Sequence, residues 1–284
     1  MQRHIVLKNL LQSGDTLIMP DAYDPISAKI IELLGFKAVQ CSGYSFAISK
    51  CYRDENQISI EENLTITDHI VKSVDIPVMA DGEDGFGDGE ELFDNIASFV
   101  KTGVAGINIE DQNLRDTNES SRIINQNKML DKINTVLKAK NEFNCPDFIL
   151  NARTDALALE DRKSVLKIAI ERANLYLNAG ADLCFVPYLK NIDEVKLLVS
   201  EIKGPLSIAI GLPYNIDKIS INQCRDLGVA RVSLPTFAIF TMIQALINSL
   251  KTVKESGDFI DILSNGFVFS DMKILQEKLM TRLG

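Results

Sequence analysis

Residues Pro77 to Gly87 read PVMADGEDGFG. Pro77-Val78-Met79-Ala80 has the make-up of a short buried strand, and Asp81, Glu83 and Asp84 follow at once among glycines. An apolar run that ends in carboxylates and flexible backbone is a strand delivering acids to a loop. The same layout recurs on both sides of it. Leu17 to Met19, Ala38 to Cys41, Ala105 to Ile109, Asp147 to Asn151, Leu183 to Val186, Leu206 to Ile210 and Val229 to Ser233 all read as further strands. Helical patterns lie between them. Asp24 as N-cap and Pro25 at the first helical position start a helix that runs to Leu34 and stops at Gly35. Others are expected over Ser59 to Lys72, Asp88 to Thr102, Arg122 to Lys140, Arg162 to Asn178 and Val195 to Glu201, near Ile216 to Asp226, and over Thr236 to Val253. A short amphipathic helix, Arg3 to Gln12, precedes the series, and another, Ser270 to Leu283, closes the chain. The one long irregular stretch expected is the loop from Ser42 through Asp54.

Eight strands, each followed by a helix and with no break in composition, imply a parallel sheet closed into an α/β, (β/α)8 TIM-type barrel. The 284 residues accommodate such a barrel of roughly 250 residues as a single domain over 1–284, with 255–284 as a C-terminal helical extension. A doubly wound open sheet is the competing architecture, and it is weakened because no glycine-rich dinucleotide fingerprint follows a strand in the second half.

Composition narrows the function. The formal net charge of −9 lacks the basic footprint that nucleic acid or an anionic membrane surface requires. The five cysteines are odd in number and contain no C-x-x-C pair, so neither a disulfide framework nor a zinc ribbon is expected and a cytoplasmic setting is. No apolar leader opens the chain. The most apolar window, Val229 to Ile247, contains Arg231 and Pro235 and falls short of the about 20 uninterrupted apolar residues of a membrane span.

In a barrel every strand's C-terminal end opens onto one face, where active sites lie. Read in order, those ends carry Ser42-Gly43, Asp81 with Glu83, Glu110 with Asp111, and Arg153, so four strands aim polar groups at one mouth. Taken alone each has a plain structural reading: Asp81 as a helix cap with Glu83 solvated, Glu110 as a salt-bridged rim acid, Arg153 as its partner or that of Asp155, Ser42-Gly43 as a turn. Asp84 reads as a turn residue. His4 and His69 fall in helices away from the strand ends, so Ser-His and Cys-His nucleophile schemes lack a base. Cys41 and Cys184 lie within strands as core side chains.

The segments DAYDPISAKIIELLGFKAV, CSG, ADGEDGFG, GINIEDQ, NARTDA and AGAD, in register from Asp21 to about Asp182, resemble the isocitrate lyase/phosphoenolpyruvate mutase superfamily. GVARVSL near the end is more weakly similar. The resemblance implies a barrel enzyme that uses Mg²⁺ (or Mn²⁺) on small 2-oxo or 2-hydroxy acids, as a homotetramer whose last helix is exchanged between protomers. It implies a cation held through Asp81, Glu83 and Glu110, with Glu83, longer by a methylene than the family's aspartate, acting through a bridging water. It casts Arg153 as the holder of the substrate carboxylate and C2 oxygen, Ser42, Gly43 and Tyr44 as substrate-binding, and Asp54 as the acid of the segment after them, where Cys51-Tyr52-Arg53-Asp54 replaces the family's Gly-x-Pro-Asp. Arg153, Asp54 and Glu110 are thereby the catalytic candidates.

Two departures bear on the substrate. Where isocitrate-type lyases carry a Lys-x-Cys-Gly-His lid, this chain has Asn113 to Ser121 without a cysteine, and Pro187 stands where lyases have glutamate and mutases histidine. The expectation is carbon–carbon cleavage that leaves a pyruvate-like enolate, as in oxaloacetate decarboxylation or hydrolysis or a malate-type lyase reaction. Phosphonopyruvate-type carbon–phosphorus chemistry is the alternative, and a barrel that binds a 2-oxo acid without turnover is an alternative of another class.

Overall fold

The strands are β1 (Leu17–Ala22), β2 (Val39–Cys41), β3 (Val78–Asp81), β4 (Gly106–Glu110), β5 (Ile149–Arg153), β6 (Leu183–Val186), β7 (Leu206–Ala209) and β8 (Arg231–Leu234). In the computed structural model, which describes residues 2–114, 122–260, 277 and 279, they pair in parallel in sequence order and β8 closes on β1. The helices α1 (Arg3–Gln12), α2 (Pro25–Leu33), α3 (Gly43–Ser49), α4 (Ile60–Ser73), α5 (Gly89–Thr102), α6 (Gln126–Glu142), α7 (Arg162–Asn178), α8 (Ile192–Glu201), α9 (Ile221–Asp226) and α10 (Phe237–Ser256) complete the alternation. Local chemistry sets many of their starts: Asp24 and Ser59 each cap their helix reciprocally with the residue three positions on.

The barrel interior is layered. At the bottom Leu17, Ala38, Met79, Ala105, Ile149 and Leu183 form an apolar cluster, and Leu7 of α1 packs on it. Arg3 donates to the carbonyls of Val71 and Val74, and Lys8 pairs with Asp147 at 2.5 Å, which ties α1 across the lower end. Above lies a polar layer. Arg231, fully buried, donates to Gln40 Oε1 (2.5 Å) and Ser207 Oγ (2.8 Å), and Asn151 donates to Asn108 (2.8 Å). The top layer carries Asp21, Asp81, Glu110, Arg153 and Ser233 at the C-terminal strand ends.

Several expected elements shift for physical reasons. The loop anticipated from Ser42 to Asp54 winds into α3, because the Ser42 hydroxyl accepts the Ser45 N–H and Phe46 and Ala47 bury against the core. β5 begins two residues later than expected, since Asp147 is held by Lys8 at the lower rim. The helix expected near Ile216 starts only at Ile221: Asn215 gathers the preceding turn by donating to the carbonyls of Leu189 and Ala209, and Ser220 caps the helix. α6 starts at Gln126 rather than Arg122, behind an Asn125 cap. The segment 115–121 of the anticipated lid and, apart from 277 and 279, the helix Ser270 to Leu283 lie outside the described residues, and with them its exchange between protomers. Among the described residues no helix is long and apolar enough to cross a membrane, and all five cysteines are unpaired.

Candidate active site

Asp81 ends β3 and points into the mouth. Its Oδ2 accepts the Gly43 N–H (3.0 Å) at the start of α3, and its carbonyl accepts the amide of Asn63 (2.9 Å), which fixes the strand end from α4. The next residue has to be glycine: a Cβ on Gly82 would stand 2.7 Å from both the Asn108 carbonyl oxygen and Ile107 Cδ1. Glu83 then adopts φ +49°, a left-handed conformation that costs about 1 kcal/mol or more for a residue with a side chain. Its carbonyl accepts the Glu110 N–H (2.9 Å), so β3 and β4 lock together. The Glu83 side chain is buried flat against Gly43, where a Cβ would come within 1.5 Å of Oε1. Asp84 accepts the Phe86 N–H (3.1 Å) in the turn expected of it.

From β5, Arg153 Nη1 lies 2.6 Å from Glu110 Oε2, and Nη2 donates to Asp155 Oδ1 at 2.8 Å. Both ion pairs considered from the sequence therefore form together, and they aim the guanidinium rather than consume it: Nε has no partner among the described residues. Arg153 and Arg231 each stack on the Phe185 ring with Cζ 5.6 Å from its centroid.

Burial pushes the carboxyls of Asp81, Glu83 and Glu110 up from their ordinary range. For Glu83 the carboxylates of Asp81 and Glu110 add to the effect, whereas Arg153 opposes it at Asp81 and Glu110. Burial works against the charge on Arg153, but Asp155 and Glu110 outweigh it and hold the group ionised. Asp21, hydrogen-bonded by Ser233 (2.9 Å), is pushed up to about 8 by burial, and burial brings Arg231 down to about 10.

The donor set has a distinctive surplus. Asp81 Oδ1, Glu83 Oε1, Glu110 Oε1 and Asp155 Oδ2 are buried and accept no hydrogen bond from the described residues. Buried acceptors left without donors are costly and call for an electropositive partner. All are hard oxygens, as Mg²⁺ and Mn²⁺ prefer. Among the described residues no three acidic, histidine or cysteine side chains stand close enough to form a cage by themselves. Mg²⁺ keeps several waters and takes only one or two carboxylates directly, so the unpartnered oxygens, not a closed cage, are what it would need. The residues present fit the implied ion.

Of the other expected residues, Ser42 and Gly43 sit beside this cluster through α3, with the Gly43 amide given to Asp81. The Tyr44 side chain is exposed. Asp54 is also exposed, its carboxylate accepting the Asn56 N–H, and so lies outside the buried cluster. Its neighbour Glu55, half-buried, lies in the fields of Arg153, Asp81 and Asp155, with its carboxyl raised chiefly by burial. Three more contributors escaped the sequence reading: Asp21, Arg231, and Tyr188, a left-handed residue (φ +65°) whose carbonyl is held by Arg162 Nη2 at 2.7 Å. The Asp21 strand end and the Pro187-Tyr188 pair were visible signals; the depth of Arg231 was not.

A closed (β/α)8 barrel whose C-terminal rim gathers carboxylates around Arg153 defines a class of barrels with an acid-lined mouth. Residues 7–254 match the family model described as phosphoenolpyruvate phosphomutase, and the chain belongs to that family, within the isocitrate lyase/phosphoenolpyruvate mutase superfamily. It is 29% identical over 262 residues to a 2-methylisocitrate lyase of Aeropyrum pernix, covering 91% of this chain and 82% of that protein. It is 26% identical over 273 residues to the 2,3-dimethylmalate lyase of Eubacterium barkeri, covering 95% and 92%. The crystal structure of a phosphonopyruvate hydrolase in complex with oxalate and Mg²⁺ has the same fold, with a TM-score of 0.86 at 23% identity over 98% of this chain and 95% of that one.

Proposed function

We propose that the chain is a Mg²⁺-dependent (or Mn²⁺-dependent) enzyme that cleaves a carbon–carbon bond of a small 2-oxo or 2-hydroxy acid, by oxaloacetate-type decarboxylation or hydrolysis or by a malate-type lyase reaction. The observation that carries this reading is the group of unpartnered buried carboxylate oxygens beside Arg153. The lyases among the relatives and the oxalate–Mg²⁺ complex on the same fold support it.

In this reading Asp81, Glu83 and Glu110 would hold the cation, with Asp81 as its principal ligand. When bound, the ion supplies Lewis-acid polarisation of the substrate's carboxylate and C2 oxygen. Arg153, steered by Glu110 and Asp155, binds that carboxylate and faces the C2 oxygen, on which negative charge builds as the C3–C4 bond breaks in decarboxylation, or which is the oxyanion before the C2–C3 bond breaks in hydrolysis or a malate-type cleavage. Such a preorganised donor contributes roughly 3–4 kcal/mol to the transition state. Ser42, Gly43 and Tyr44 line the carboxylate end at the start of α3. Asp54, exposed on the rim, is proposed as the acid of the following segment, with the more buried Glu55 beside it.

A homotetramer with the last helix exchanged belongs to the same proposal, as do the extension 255–284 and a cytoplasmic location. The exposed apolar side chains of α10, Phe237, Phe240, Met242, Leu246 and Leu250, support the assembly, and five unpaired cysteines suit a reducing compartment. The test is turnover of oxaloacetate, alkyl-substituted malates and phosphonopyruvate with Mg²⁺ or Mn²⁺, by wild type and by Asp81→Ala. Metal-dependent cleavage of a carbon–carbon substrate that Asp81→Ala abolishes is the expected result. Turnover of phosphonopyruvate alone would move the assignment to carbon–phosphorus chemistry, and heat of binding without product would make the chain a binding protein.

A further inference from the structure

Asp111 follows Glu110 and points the other way, out of the barrel interior toward α7, where it is fully buried. Its Oδ2 accepts from the Tyr176 hydroxyl (2.7 Å) and Arg172 Nη1 (2.8 Å). Its Oδ1 accepts the Asp155 N–H (2.8 Å), and its own N–H donates to the Arg153 carbonyl (3.1 Å). Arg172 Nη1 also donates to the Tyr176 hydroxyl (2.9 Å), and Nη2 donates to the Ile124 carbonyl (2.9 Å). One residue thus grips the backbone on both sides of the turn that carries Arg153 and its partner Asp155. Two α7 side chains, neither of which touches the mouth, hold that residue in place.

Apolar packing would seat α7 against the barrel without this arrangement. Burying a carboxylate, a guanidinium and a phenol together is costly, the more so as Arg172 Nε finds no partner among the described residues, and it gains geometry more reliably than stability. The geometry gained here is the setting of residues 153–155, and through Asp155 Oδ1 the angle of the Arg153 guanidinium. We propose that Tyr176 and Arg172, acting through Asp111, are positioning residues that set Arg153 for the carboxylate of the substrate. This rests on the reading of Arg153 as the carboxylate-binding group.

The experiment uses the full chain and two probes: Mn²⁺ alone, and oxalate at saturating Mn²⁺, both titrated calorimetrically. The variants are Tyr176→Phe, which keeps the ring, and Arg172→Lys, which keeps the charge and loses the fork; each is also made in an Arg153→Lys background. The expected result is unchanged Mn²⁺ affinity within twofold and a loss of oxalate affinity of roughly tenfold, the worth of one hydrogen bond to a charged group. In the Arg153→Lys background the further loss shrinks to less than twofold, because the group being positioned has gone. Unchanged oxalate affinity, equal losses for Mn²⁺ and oxalate, or losses that multiply in the double variants would each overturn the proposal. Wild-type protein that binds Mn²⁺ but no oxalate would overturn the functional reading, and the proposal with it.

Discussion

Adding one methyl group at Gly43 tests the acid cluster from the side. The new Cβ would lie 1.5 Å from Glu83 Oε1, 2.7 Å from Cδ and 3.6 Å from Cγ. A normal carbon–oxygen contact is about 3.4 Å, so the carboxylate must withdraw by roughly 2 Å. It cannot take its backbone along, because Glu83 is held at φ +49° and its carbonyl is bonded to the Glu110 N–H. The side chain must therefore swing out of the cluster. Overpacking of this kind costs about 1–3 kcal/mol, offset in part as the carboxyl regains water. Gly43→Ala is expected to unfold at slightly lower denaturant, while its affinity for Mn²⁺ falls by about tenfold or more, the equivalent of about 1.4 kcal/mol. Denaturant unfolding and calorimetric titration measure the two effects. Glu83→Ala makes room for the methyl group, and in that background Gly43→Ala should be neutral within about 0.5 kcal/mol. Wild-type Mn²⁺ affinity in Gly43→Ala, or an equal stability cost in both backgrounds, would refute the reasoning.

Three further outcomes are expected. Asp21 is pushed up to about 8, and Glu83 and Glu110 shift the same way, so the folded metal-free chain keeps protons that the unfolded chain has released. The contribution of these groups to stability is fully present below the ordinary carboxylate range and is lost as pH rises toward about 8, so between pH 5 and pH 8, above the range where the lowered carboxyls titrate, urea unfolding should show a loss; added Mg²⁺ should raise the melting temperature more at the higher pH, and a metal-free chain that gains stability from pH 5 to pH 8 would contradict both. Arg153→Lys replaces a fork that spans Glu110 and Asp155 with a point charge, so kcat/KM should fall by roughly 10²–10³, and a loss below about fivefold would argue against the role. Gly82→Ala drives a Cβ to 2.7 Å from the Asn108 carbonyl oxygen; a destabilisation of about 2 kcal/mol is expected, and an unmoved unfolding midpoint would show that β3 and β4 can part.

The barrel was legible because its signals are local and repeated. Asp24-Pro25 marks the start of α2, and Arg162 to Asn178 has the helical bounds found for α7. Asp81, Glu83, Glu110 and Arg153 could be named because a strand's last residues must face the mouth, whatever surrounds them. α3 was not legible: Gly-Tyr-Ser-Phe-Ala-Ile-Ser has little helical propensity, and burial of Phe46 against the core decides the matter. The direction of Glu55 was hidden too, because the cap that Asp54 gives to a single tight turn sets which of two adjacent acids points inward. Glu83 offers no local warning of a left-handed backbone, and Arg231 lies in a strand that reads as apolar. Both depend on contacts with residues far away in the chain.

Among the described residues α1 and the Arg231 layer together stopper the barrel from below, which leaves the mouth as the way in. A cleavage reaction turns one guest into two, and both must go out by the way the first came in. The fragment seated deepest departs last. An inert acid that fits this inner seat would compete there with the substrate and with the deeper product alike.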